Sequence, residues 1–60
     1  MKDYTYYKSK QGEMVWRSSE DNKWDIWMPM NNCWQQGYEP NVVRYGLKKI
    51  SKEEAFILML

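Results

Sequence analysis

Lys23-Trp24-Asp25-Ile26-Trp27-Met28 alternates at every step, setting Trp24, Ile26 and Met28 on one side of an extended chain and Lys23, Asp25 and Trp27 on the other. That period of two predicts a strand, and its neighbours repeat the pattern. Glu13 to Ser18 (EMVWRS) alternates with Met14 and Trp16 opposite Glu13, Val15 and Arg17, and the polar Ser19-Glu20-Asp21-Asn22 between the two runs has the length of a hairpin connection. Further upstream, Tyr4 to Lys8 (YTYYK) is aromatic and contains β-favouring Thr5, followed by Ser9-Lys10-Gln11-Gly12, where Gly12 can supply a positive φ. Downstream, Pro29 lacks the amide a ladder needs and so marks the end of the third strand, with Asn31-Asn32 turning the chain.

Beyond that hairpin the signals weaken. Cys33-Trp34-Gln35-Gln36 suits a short strand closed by Gly37, and Pro40 sits where a type I or II turn accepts it. Val42 to Leu47 (VVRYGL) fits an edge strand and an extended crossover equally well, since its β-branched residues favour extension while Gly46 interrupts it. The clearest local signal is Ser51-Lys52-Glu53-Glu54. Ser51 can cap the amide of Glu54, Glu54 can reach back to the amide of Ser51, and both acids suit the positive end of a helix. Helices shorter than about 12 to 15 residues are marginal in water, so this one must dock to exist. The expected architecture is one small α+β domain spanning residues 1–60. It has an antiparallel sheet of three to four strands, with a C-terminal helix on the face formed by Met14, Trp16, Trp24, Ile26 and Met28. Ala55, Leu58 and Met59 would meet that face, leaving Phe56, Ile57 and Leu60 to a dimer interface with a second copy.

The composition excludes more than it assigns. With no His and one Cys, the chain of 60 residues has no internal disulfide, no all-protein Cys/His zinc site and no imidazole chemistry. No stretch approaches the roughly 20 apolar residues of a membrane span, and MKDYTYYKSK lacks the apolar segment of a signal peptide, which predicts a cytoplasmic protein. Cys33 has no neighbouring cation to lower its pKa and reads as a small hydrophobe, while Glu53 and Glu54 are explained by the helix start and Glu20-Asp21 by a solvated turn. Asp21, Asn22 and Asp25 lack the spacing of a calcium loop. No enzyme activity, metal or cofactor is expected.

Two binding functions compete. Aromatic platforms with Arg17, Lys23, Arg44, Lys48 and Lys49 are the elements of a single-stranded nucleic-acid site, yet nine cations face eight anions, and phosphate binding needs an unbalanced positive charge. Glu13 and Asp25 also fall among those cations on the expected outer strand face. Protein binding absorbs what is otherwise surplus: Trp27 on the polar face of its strand, Trp34 in a polar segment, and a helix end that is apolar all round. Trp27, Trp34, Tyr45 and Arg17 are therefore the candidate partner-contacting residues, and nucleic acid ranks second.

The order of motifs resembles that of short accessory proteins of phages and mobile elements of Gram-positive bacteria. The residues that carry this are Tyr6-Tyr7-Lys8, the Gly12-Glu13-Met14-Val15-Trp16-Arg17 strand, Lys23-Trp24-Asp25-Ile26-Trp27, Trp34, and Leu47 to Ala55 opening the last helix. The resemblance implies an anti-defence factor or inhibitor that binds a host or rival protein, and it assigns no functional residue.

Overall fold

The computed structural model describes residues 3–60. Its strands are β1 (Thr5–Lys8), β2 (Val15–Ser18), β3 (Trp24–Met28) and β4 (Cys33–Gly37); one helical turn, α1 (Val42–Tyr45), precedes β5 (Lys48–Ile50), and helix α2 (Lys52–Leu58) follows. All strand pairs are antiparallel, in the spatial order β4-β3-β2-β1-β5. The α+β expectation holds, with five strands in place of three to four.

The first four strands form a meander whose turns use the residues suited to them. At the β1–β2 turn Ser9 is buried, and its Oγ accepts from the amides of Glu13 and Met14, both at 3.1 Å, while Gly12 adopts φ 75°. Asn22 and Asn32 take positive φ at the next two turns, a conformation that Asn tolerates better than most residues. β3 stops at Met28, ahead of Pro29.

Val42 to Leu47 is neither an edge strand nor an extended crossover. Asn41 Oδ1 accepts from the amide of Arg44 at 2.9 Å, which starts α1, and Gly46 ends it in the left-handed conformation with its amide bonded to the Val42 carbonyl. The chain then enters β5 and completes the sheet beside β1, pairing Ile50 with Tyr6. Ser51 follows at once, its Oγ accepting from the Glu54 amide at 3.1 Å, so α2 begins where the spacing places it.

The side of the sheet that α2 covers is the reverse of the expected one. Residues opposed in register share a face, so Ile50, Tyr6, Arg17, Asp25 and Gln36 form a row on one side, and Lys49, Tyr7, Trp16, Ile26 and Gln35 a row on the other. α2 lies on the first side: Ala55 is fully buried in a cluster with Tyr6 and Val15, and Tyr4, Trp27, Trp34 and Ile50 pack around it. Lys8 Nζ meets Glu54 Oε2 at 3.0 Å and tethers the helix to β1. Trp16, Trp24, Ile26 and Met28 do share a face, as their spacing requires, but it is the face away from the helix. The cause is connection geometry: α2 starts directly after Ile50 and folds onto the side to which Ile50 points.

A candidate protein-binding face

On the helix side the aromatic residues are consumed by the fold. Tyr6 is ringed by Tyr4, Trp34 and Phe56 at centroid distances of 6.4, 6.2 and 6.1 Å. Strands β1 and β4 are three strand spacings apart, roughly 14 Å, so contact between Tyr6 and Trp34 requires both side chains to lean inward over a curled sheet. The Arg17 guanidinium fills the space between, 4.1 Å from the Tyr4 ring centroid and 4.4 Å from that of Trp34, and its Nε donates to Asp25 Oδ2 at 2.9 Å. Trp27 meets Trp34 edge-on at 5.4 Å. Three of the four residues expected at a partner surface, Arg17, Trp27 and Trp34, therefore stand together over β2 and β3, beside the cluster of Tyr6, Val15 and Ala55.

The fourth, Tyr45, lies on the opposite side. Its ring is 5.2 Å from that of Trp16, and its carbonyl accepts from the Lys10 amide at 2.8 Å, which fixes α1 to the β1–β2 turn. Trp16 is thereby sealed, at 4% exposure. Around it the helix-free face is uncovered. Tyr7 and Trp24 pack against each other at 5.2 Å, diagonally across β2, where Tyr7 is paired with Trp16 and Trp24 with Ser18. Ile26 and Met28 lie on the same face in β3, and all four are half-buried. Arg44 and Lys10 line a shallow groove beside α1, together with Glu13 and Met14.

The charge on this face differs from the expected mixture. The one acidic residue in any of the five strands is Asp25, and its register places it on the helix side with Arg17. Lys49 is the one charged strand residue of the helix-free face. The strands of this face carry one cation and no acid, while its margins carry both signs: Lys10 and Arg44 with Glu13 beside α1, and Lys23 with Glu39 beside Trp24. Sequence reasoning named Trp24, Ile26 and Met28 but assigned them to the core under the helix; alternation groups such residues without telling which group is covered.

The residues expected at a dimer interface divide. Phe56 touches Tyr6 edge-on while remaining 48% exposed, whereas Ile57 and Leu60 extend into solvent. Among the described residues, no three Cys, Asp or Glu side chains converge to hold a metal, and no helix is long and apolar enough to cross a membrane. No protein-family model matches the chain, and comparison with characterised proteins and with solved structures yields no match.

Proposed function

We propose that this chain is a non-enzymatic protein-binding factor that docks through its helix-free sheet face onto an apolar surface of its partner. One observation carries this reading: Tyr7, Trp24, Ile26 and Met28 lie on the sheet face opposite α2 and each remains partly exposed, although Trp16 beside them is sealed by Tyr45. Aromatic residues and Met are enriched in interface cores, and burying a large apolar side chain contributes about 1.5 to 3 kcal/mol. The resemblance to mobile-element accessory proteins supplies the kind of partner, a host or rival protein that the factor inhibits.

Single-stranded nucleic acid is the second reading, favoured by the Tyr7–Trp24 platform and the absence of acids from the strands of that face. One strand lysine is a small endowment for phosphate binding. Affinity capture from nuclease-treated host lysate, comparing wild type with Ile26→Glu and with Ile57→Glu, separates these readings. Capture of a protein that is lost with Ile26→Glu, retained with Ile57→Glu and weakly dependent on salt is the expected result. Binding abolished by nuclease, or falling steeply with salt, would replace the protein partner with nucleic acid. Circular dichroism of both variants checks that the sheet is intact.

A further inference from the structure

We propose that β4 is a self-pairing edge: two copies of this chain join antiparallel through Cys33–Gly37 about a two-fold axis at Gln35, extending the sheet to ten strands. The sheet order ends at β4, so its outer amides and carbonyls have no strand partner among the described residues. Proteins usually blunt such an edge with charge, proline or shortness. The other edge, β5, has these protections: it is three residues long and carries Lys48 and Lys49. β4 has none. It is five residues long and contains neither charge nor proline.

The strand is also complementary to itself. In a two-fold antiparallel pair centred on Gln35, Gln35 faces the second copy's Gln35, Trp34 faces its Gln36, and Cys33 faces its Gly37. No like charges meet, and each larger side chain is opposed by one of equal or smaller size. The two amide side chains at the axis can donate to and accept from each other. The ends of the strand favour a second copy over an unrelated peptide: Met30 and Tyr38, 95% and 94% exposed, flank β4 on either side. Antiparallel pairing brings Tyr38 of each copy to Asn32 of the other, at the foot of the turn that carries Met30. The same pairing continues the row of Lys49, Tyr7, Trp16, Ile26 and Gln35 into its mirror sequence in the second copy, merging two helix-free faces into one.

Cysteine placement tests this register. In a Cys33→Ser background, Gln35→Cys puts two thiols opposite each other with Cα atoms about 4.5 to 5.5 Å apart, within the range a disulfide spans. Wild-type Cys33 lies two residues from the axis in each copy, a separation of roughly 13 Å. Under mild oxidation the Gln35→Cys protein should form covalent dimer at least about tenfold faster than wild type, and faster than Cys33→Ser/Lys48→Cys on the opposite edge. Gln35→Lys and Gln35→Glu should each sediment as monomer, and mixing them should restore the dimer. A wild-type monomer at high micromolar concentration, cross-linking no faster at position 35 than at position 48, or failure of the charge pair to recombine would each overturn the proposal. A dimer abolished by Ile57→Glu and indifferent to Gln35→Lys would overturn it too, by moving the interface to α2.

Discussion

Arg17 is held by two ring faces and a carboxylate, a setting that uses the flatness of guanidinium as much as its charge. Arg17→Lys keeps the charge and loses the stacking surface, and should cost about 1 kcal/mol in urea titrations. Arg17→Ala should cost about 2 to 3 kcal/mol, because Asp25 then stays largely buried without its partner. The glycines permit a second comparison. Gly12 and Gly46 both have positive φ, but a Cβ on Gly12 would meet nothing within 4 Å, whereas one on Gly46 would come within 2.7 Å of Lys10 Cβ. Lys10 cannot easily retreat, since its amide is bonded to the Tyr45 carbonyl. Gly12→Ala should cost about 1 to 2 kcal/mol for the backbone conformation alone, and Gly46→Ala distinctly more. Thermal melts that rank the two equally would show that the Lys10 contact yields freely.

Helix α2 depends on its cap and on Ala55. Ser51→Ala should cost about 1 kcal/mol, and urea midpoints equal to wild type would mean that the Ser51–Glu54 bond contributes nothing. The cap was legible because it is local: one hydroxyl, one amide and a fixed spacing. Strand existence and parity were legible for the same reason, down to the grouping of Trp24 with Ile26 and Met28. The covered face was not. Both sides of this sheet carry large apolar groups, so the choice rests on the direction in which the chain leaves Ile50, and β5 itself was hidden in Lys48-Lys49-Ile50, a run whose extension comes from pairing with β1 rather than from its own propensity. The partner-surface residues went astray similarly. Trp27 and Trp34 are surplus only if the helix covers the opposite face, and here they pack over the core that α2 leaves open. Trp27→Ala should therefore destabilise by about 3 kcal/mol and Trp24→Ala by less, with Trp24→Ala giving the larger loss of partner binding. Equilibrium unfolding of both variants, with the order reversed, would contradict this assignment of faces.

At the scale of the whole molecule the core is thin: among the described residues Tyr6, Val15, Trp16 and Ala55 are the buried apolar ones, and no large side chain is fully enclosed. Domains of this size bury only about 60% of the surface their unfolded chains expose. Pairing at β4 would then add noticeably to stability, and the melting temperature should rise by several degrees, roughly 4 to 8 °C per kcal/mol gained, as protein concentration increases. A melting curve independent of concentration, together with monomeric sedimentation, would show that the monomer stands alone. The closure of β1 by β5 has a consequence for how the protein is made. Tyr6 is synthesised well before its sheet neighbour Ile50. The meander can zip up from local hairpins, but one flank of β1 stays bare until β5 has been made and paired, exposing backbone groups that could join another chain. Cutting the chain after Leu47 would therefore strip β5 and α2 together, and release a sheet open along both sides.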